Sequence, residues 1–366
     1  MKAAATTRIT WRGRRVDATV PHLLARHTLA LRPSVATSCK SATSRLVLAA
    51  EVPPPDFATL AHLMARNEAL ASSFIEGIGA PTLDIVLPDP APIARSLNDA
   101  IATVQHVRDA ADTDVSVEVL CDWHARVMRS TTLPREHHGR LRTEQGWIGG
   151  SSPLDAALVT PPATKITLLV DDLIDFANRT DLDPILQAAV AHAQFELIHP
   201  FADGNGRIGR MLVDWILARR LRLVAPPSVS NVIAGDVGGY LSGLALFRLG
   251  DLDAWVSWFA EVVTRASQRQ LALVQAIDEL RVKWRVRLLA RSDSCAWPIL
   301  GLLTQRLVLD ARSVAEEFGV SLRAALSGLE SLTAAGILEE HSRPVGKGRP
   351  TRLFVAPELL ALIDVG

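Results

Sequence analysis

The chain has 366 residues, with 39 basic and 39 acidic side chains and therefore no net charge at pH 7. This length allows two or three domains, and the zero net charge excludes an overall field that would draw the protein to nucleic acid or membranes. Its three cysteines are scattered without the spacing of a metal site or a disulfide framework.

Export and membrane insertion are not expected either. The N-terminus lacks the apolar segment of a signal peptide. The sequence contains no uncharged apolar run of about 20 residues, which a transmembrane helix would need. We therefore predict a cytoplasmic protein that does not contact membranes.

The composition favours a mainly α-helical fold, because Ala, Leu and Arg are abundant and Tyr occurs once. We predict an N-terminal helical region over residues 1–95, although residues 1–50 have little periodicity. The run Pro53–Pro55 followed by Asp56 predicts a break and then a helix start. Apolar residues recur at helical spacing after it, and Gly77 is expected to end that helix.

The central part of the chain, residues 96–265, has the pattern of a helical core interrupted by one hairpin. Helices are predicted over 96–110, 116–130 and 166–178. Between them, residues 139–163 are rich in Gly and Pro, which predicts a β-hairpin around a Gly-Gly-Ser-Ser-Pro turn. An apolar stripe over 186–197 then predicts a further helix.

The most informative segment follows that stripe, at residues 199–210, His-Pro-Phe-Ala-Asp-Gly-Asn-Gly-Arg-Ile-Gly-Arg. Apolar residues at helical spacing begin just after it, so the glycines lie at a helix start. The free N–H groups and the positive end of the helix dipole predict an anion site there. Arg207 and Arg210 lie one turn apart beside it, and His199 precedes it. The pattern indicates proton abstraction next to a bound nucleotide.

The last part of the chain is expected to form a separate unit. A connecting helix over 266–292 leads to a domain over 293–366. Helices at Ser313–Phe318 and Leu322–Leu332, followed by strands at Leu338–Glu340 and Arg352–Val355, have the order of a winged helix-turn-helix domain. The basic cluster in this unit comprises Lys347, Arg349 and Arg352.

Three segments, in this order, resemble those of Fic-domain proteins. Residues 199–210 fill every defining position of the family motif. The stretch Ser72–Gly77 is similar to the inhibitory helix motif Ser/Thr-x-x-x-Glu-Gly/Asn. The hairpin over 139–162 is similar to the family's flap, with Thr160 where the family more often has Pro. The resemblance covers about residues 10–265 and implies a Fic-type helical bundle with a β-hairpin flap.

The resemblance implies a protein adenylyltransferase, which transfers AMP from ATP to a Ser, Thr or Tyr hydroxyl of a target protein docked on the flap at 146–160. The roles it implies are a general base at His199, a Mg²⁺ ligand at Asp203, phosphate binding by Gly204, Asn205, Gly206, Arg207 and Arg210, and inhibition by Glu76 with Ser72. Glu76 would occupy Arg210 and displace the γ-phosphate of ATP.

Several alternatives stay open at this point. The chain could be a nucleotide-sensing regulator that binds DNA through residues 313–355, or a Fic-type transferase with another nucleotide donor. Glu76 could instead align water to remove AMP from a modified target. Tyr240 could lie near the adenine or be a self-modification site. His192, Glu196 and His199 fall on one helix face, as in a metal site, but Pro200 would break that helix. A homodimer is also open.

Overall fold

The computed structural model describes residues 1–51, 57–343 and 351–364 of the chain. Most of these residues lie in α-helices, and their strands form three small antiparallel sheets. The predicted mainly helical fold class is therefore confirmed. None of the helices in the described ranges is long and apolar enough to cross a bilayer.

The helices are α1 (Pro33–Glu51), α2 (Phe57–Ile75), α3 (Thr82–Val86), α4 (Pro92–Asp109), α5 (Val117–Met128), α6 (Ile166–Ala177), α7 (Pro184–Ile198), α8 (Asn205–Leu221), α9 (Val229–Ala234), α10 (Val237–Arg248), α11 (Leu252–Arg287), α12 (Ala296–Leu302), α13 (Ala311–Phe318), α14 (Leu322–Ala334) and α15 (Pro357–Ile363). The strands are β1 (Ala5–Trp11), β2 (Arg14–Val20), β3 (Trp147–Ile148), β4 (Leu158–Val159), β5 (Val308–Leu309), β6 (Glu339–Arg343) and β7 (Thr351–Val355).

The core of the molecule is built around the pair α7 and α8, which pack against each other. The side chains of α7 are buried from Ile185 to Ile198, so the helix is enclosed on every side rather than along one stripe. Asp183 caps α7 by accepting hydrogen bonds from two backbone N–H groups, and Pro184 occupies its first turn. Helices α1, α6, α10 and α11 cover α7, and α2, α4 and α5 contact α8.

The N-terminal region differs from the prediction, because residues 5–20 form a β-hairpin rather than helix. Strands β1 and β2 pair from Ala5 with Val20 to Trp11 with Arg14. Arg12 and Gly13 form the two-residue turn and both have positive φ angles, 45° and 79°, as tight hairpins require. The Trp11 ring lies 5.7 Å from that of Trp147 on β3, so this hairpin packs against the predicted flap.

The inhibitory-type helix lies close to its predicted position, with α2 ending at Ile75 and Gly77 adopting a positive φ of 74° just after it. The predicted break at Pro53–Pro55 and the helix start at Asp56 lie outside the described residues. The side chains of Ala61, Leu63 and Met64 belong to a buried cluster that also contains residues of the C-terminal unit.

The C-terminal unit has the predicted order of elements. Asp310 caps α13 together with Ser313, Gly319 ends that helix with a φ of 62°, and Ser321 caps α14. The sheet has the order β5-β7-β6, and β5 had not been predicted. The predicted loop 346–350, with Lys347 and Arg349, lies outside the described residues.

The long helix α11 joins the core to this C-terminal unit without interruption. It starts in the core cluster, where Trp255 and Phe259 are buried. It ends in the cluster of the C-terminal unit, where Trp284 is buried. The predicted division between residues 265 and 266 therefore falls inside one helix.

Candidate active site

The motif forms the connection between α7 and α8. His199 ends α7 in the left-handed conformation (φ 50°, ψ 62°), and Gly204 precedes α8 with a φ of 73°. Asn205, the first residue of α8, accepts a hydrogen bond from the Phe201 N–H at 2.8 Å and donates one to the Phe201 carbonyl at 2.9 Å. Both ends of the Asn205 amide are thus used to shape the loop. The phosphate contact predicted for this amide stays a prediction, because these two bonds use one of its two N–H groups.

Phe201 anchors the loop in the core. Its side chain is 1% exposed and stacks on His124, with ring centroids 4.1 Å apart. The ring of Phe195 on α7 also packs against it, with centroids 6.3 Å apart.

His124 on α5 is a site residue that the sequence did not reveal. Its Nε2 lies 3.1 Å from the Asp203 carbonyl, and its Nδ1 lies 2.8 Å from the Gly139 N–H. A neutral ring with its proton on Nε2 satisfies both contacts, and burial, the largest effect, lowers the pKa of His124 to about 4. The ring therefore ties the motif loop to the start of the flap segment.

The start of α8 at Gly204–Gly206, called the nucleotide cradle below, has the free backbone N–H groups that an anion site needs. The N–H groups of its first turn point out of the helix, with the first main-chain bond running from Ile208 back to Gly204. A Cβ at Gly206 would lie 2.0 Å from Oε1 of Glu76, and one at Gly204 would lie 2.2 Å from Cε of Met128. A side chain at either position would have to displace the end of Glu76 or of Met128, and the positive φ of Gly204 also favours glycine.

The two arginines of the motif differ in their partners. Arg207 is 3% exposed, and its Nε has no hydrogen-bond partner in the part of the chain that the structure describes. Its Nη2 lies 3.8 Å from the sulfur of Met128. Burial lowers the pKa of this guanidinium. An arginine held in this way beside a helix start is prepared for a phosphate.

Arg210 is held by the end of α2, as the sequence motif predicts. Its Nε donates to the Ser72 hydroxyl at 2.8 Å, and its Nη2 donates to the Ser72 carbonyl at 2.8 Å and to Glu76 Oε1 at 2.7 Å. The guanidinium is 3% exposed, whereas the Glu76 side chain is 37% exposed. The carboxylate therefore covers both Arg210 and the backbone of Gly206 from the solvent side.

His199 has the protonation state of a base. Burial and, to a smaller extent, the charge of Arg142 together lower the pKa of its imidazole to about 4, against the opposing effects of a backbone hydrogen bond at Glu196 and of the Glu76 and Asp203 charges. The ring is consequently neutral near pH 7 and can accept a proton. Asp203 is exposed at the other end of the loop, where its Oδ1 accepts from the Gly204 N–H at 2.6 Å.

The predicted flap is a short hairpin, with Trp147 paired to Val159 and Ile148 to Leu158. Its tip is closed by the Asp155 carboxylate, which accepts hydrogen bonds from the N–H groups of Ser151 and Ser152 at 2.9 and 2.8 Å. Among the described residues this hairpin pairs with no third strand.

Tyr240 does not have a position that suits a self-modification site, and its suggested place near the adenine stays a prediction. Its side chain is 4% exposed, and its hydroxyl lies 2.8 Å from Nε2 of His192. Burial, followed by the nearby Glu196, raises the pKa of Tyr240 well above its ordinary value. A hydroxyl enclosed in this way is not accessible as an acceptor of a transferred group, and His192 is a core histidine.

Known proteins share both this motif region and this fold. Residues 114–217 match the family model described as Fic/DOC family. The chain is 32% identical to protein adenylyltransferase fic-1 of Caenorhabditis elegans over 185 aligned residues. This alignment covers 50% of this chain and 33% of that protein. It is 29% identical to protein adenylyltransferase Fic of Drosophila melanogaster over 151 aligned residues. This alignment covers 40% of this chain and 28% of that protein. The matches thus span about a third of the length of these relatives.

Solved structures agree with the fold. A Fic family protein from Desulfovibrio desulfuricans G20 superposes with a TM-score of 0.54 and 22% identity over 90% of this chain and 97% of that one. Fic-1 from C. elegans gives a TM-score of 0.54 and 21% identity over 66% of this chain and 73% of that one. The helical core, with its motif at the start of α8, therefore has the fold of these Fic proteins.

Proposed function

We propose that this protein transfers AMP from ATP to a hydroxyl group of a target protein. The proposal depends on one arrangement. The neutral His199 imidazole lies at one end of the motif loop, and the other end of this loop is the start of α8, which carries two buried arginines. Two of the relatives named above are protein adenylyltransferases.

In the proposed reaction, His199 removes the proton of the target hydroxyl as its oxygen bonds to the α-phosphorus of ATP. The bond from the α-phosphorus to the bridging oxygen breaks, and pyrophosphate leaves. N–H groups at the start of α8 bind phosphate oxygens, and Arg207 offsets the charge that develops on them. Arg210 binds the γ-phosphate once Glu76 has moved away.

We propose that ATP binds together with Mg²⁺. Within the described residues no group of three or more His, Cys, Asp or Glu side chains forms a metal site. A nucleotide-bound Mg²⁺ does not need one, because it takes one or two carboxylates, phosphate oxygens and water. The exposed carboxylate of Asp203 beside the cradle fits that donor set. The ion would offset phosphate charge.

We also propose that Glu76 inhibits the resting enzyme. Its carboxylate occupies the Arg210 guanidinium and the space over Gly206, where phosphate oxygens would bind. A second role for Glu76, aligning water to remove AMP from a modified target, uses the same position.

The target protein is proposed to dock on the flap edge by main-chain hydrogen bonds, with its hydroxyl directed to His199. Backbone pairing carries little sequence information, so the identity of the target does not follow from the flap. The homodimer and the cytoplasmic location also remain predictions from the sequence.

The element order of the C-terminal unit supports our interpretation of it as a winged helix-turn-helix domain. DNA binding has less support. Arg352, the described member of the predicted basic cluster, donates to Glu340 at 2.7 and 2.8 Å and to Glu330 at 2.8 Å. A phosphate would have to displace two carboxylates from it.

Intact-mass spectrometry of the Glu76→Gly variant tests the reaction and the donor together. The full chain is incubated with Mg²⁺ and ATP, GTP, UTP or CDP-choline in separate reactions. We expect an added mass of one AMP moiety with ATP, and peptide mapping then locates the modified hydroxyl. A different adduct would replace AMP in the proposal, and no adduct with any donor would overturn it.

A further inference from the structure

Arg142 lies between α5 and β3, outside the nucleotide cradle, and its side chain is 7% exposed. Five oxygen atoms accept hydrogen bonds from its guanidinium, and all five are uncharged carbonyl or hydroxyl oxygens. Burial lowers the pKa of Arg142 to about 10, so the group stays charged at neutral pH. A buried cation with this many acceptors holds several segments together.

Three of these contacts reach both arms of the flap. On the first arm, Nη1 donates to the Glu144 carbonyl at 2.6 Å. On the second arm, Nη2 donates to the Thr160 hydroxyl at 2.9 Å and to the Pro161 carbonyl at 2.7 Å. Thr160 is the residue at which this chain departs from the family pattern, and its hydroxyl is one of the acceptors. The two ends of the hairpin are therefore joined through one side chain.

The remaining contacts reach the end of α7 and the motif loop. Nε of Arg142 donates to the His199 carbonyl at 2.8 Å, and Nη2 lies 3.3 Å from the Ile198 carbonyl. The backbone N–H of Arg142 also donates to the Pro200 carbonyl at 2.8 Å. These carbonyls lie at the negative end of the α7 dipole, which favours a cation.

We propose that Arg142 is a positioning residue, which fixes the docking edge of the flap relative to the His199 imidazole. The proposal rests on the proposed function, because a target held on β3 must present its hydroxyl to that ring. A planar guanidinium can donate to both arms of the flap and to the loop at once, whereas a lysine ammonium on a flexible stem cannot reproduce that arrangement.

The hydrogen bonds from Arg142 to the flap and to the motif loop are called the clasp here. The first test measures this clasp and needs no catalytic activity. Hydrogen–deuterium exchange of peptides covering residues 143–161 and 196–204 is compared in the full chain and in Arg142→Met. We expect faster exchange in both segments of the variant. Arg140→Met, which removes an exposed arginine from the same segment, is the matched control and should leave both segments unchanged. Unchanged exchange in Arg142→Met would overturn the clasp.

The second test measures positioning, with each variant combined with Glu76→Gly. The rate of AMP transfer from radiolabelled ATP to the chain itself is measured at saturating ATP, and the Kd of a non-hydrolysable ATP analogue is measured separately. Misplacement by about 1 Å lowers a rate by about 10²-fold, so we expect a loss of that order in Arg142→Met and little recovery in Arg142→Lys. Thr160→Val, which removes one acceptor, should lose about tenfold or less.

The Kd for the ATP analogue should stay within about threefold, because Arg142 does not border the cradle. A purely structural role would weaken nucleotide binding and transfer together, and that result would overturn the positioning role. Unchanged transfer in an Arg142→Met protein with a loosened flap would also overturn it. If Glu76→Gly alone transfers nothing, the proposed function fails and the positioning role fails with it, while the exchange measurement still decides whether the clasp exists.

Discussion

Replacing Glu76 by glycine is the perturbation that the structure defines most sharply. The change removes the carboxylate that accepts from Arg210 at 2.7 Å and clears the space over Gly206. The two contacts between Arg210 and Ser72 are unaffected, so the guanidinium stays in place. The N–H of Arg210 that donates to Glu76 in the parent is then free for the γ-phosphate of ATP.

The size of the effect follows from the contact that ATP no longer has to displace. A hydrogen bond to a charged group contributes about 1.5–3 kcal/mol. Because the Glu76 side chain is 37% exposed, water competes for it, and the lower end of that range applies. About 1.4 kcal/mol corresponds to a tenfold change in a dissociation constant. We therefore expect Glu76→Gly to bind ATP about tenfold more tightly.

Isothermal titration with a non-hydrolysable ATP analogue and Mg²⁺ measures this change, and transfer of labelled AMP to the chain measures its catalytic consequence. The rate should rise by more than the affinity, because displacement of the γ-phosphate also takes the α-phosphorus out of line with the attacking oxygen. Glu76→Gln keeps the size of the side chain without its charge and should fall between the parent and the glycine variant. Equal affinity and equal transfer in the parent and Glu76→Gly would refute the reasoning.

Three further predictions concern the motif loop. In the Glu76→Gly background, His199→Ala should lower AMP transfer by about 10²- to 10⁴-fold with an unchanged circular dichroism spectrum, and a variant that keeps its activity would exclude His199 as the base. Because burial and then Arg142 lower the pKa of His199 to about 4, a larger fraction of the imidazole is the free base at any pH. The transfer rate should therefore stay level between about pH 6 and pH 8, and a rate limited by an ordinary histidine would instead fall towards the acid end of that interval. Phe201→Ala should lower the free energy of unfolding by about 3–5 kcal/mol in a urea titration, because the ring is 1% exposed and stacks on His124; a loss below about 1 kcal/mol would show that it does not anchor the loop.

The local features of the site could be predicted because neighbouring residues determine them. The start of α8 follows from glycines placed before a run of apolar residues, and the end of α2 follows from Gly77, which has the positive φ that glycine tolerates. The flap follows from turn residues between short apolar segments. The N-terminal hairpin was missed because its run of Thr and Arg has little apolar alternation and is stabilised partly by Trp147, far away in the chain.

The sequence alone was enough to predict the resemblance to Fic-domain proteins, the candidate base, the glycine-lined helix start and the two arginines, because the motif is contiguous and its chemistry depends on residue types at fixed spacing. Tertiary structure alone decided which groups those residues meet. The Glu76 carboxylate reaches Arg210 across 134 positions, and Arg142 reaches His199 across 57. Such contacts depend on how α2 and the flap pack against α7 and α8, and no local periodicity encodes them. The same packing used the Asn205 amide within the loop and enclosed Tyr240 in the core.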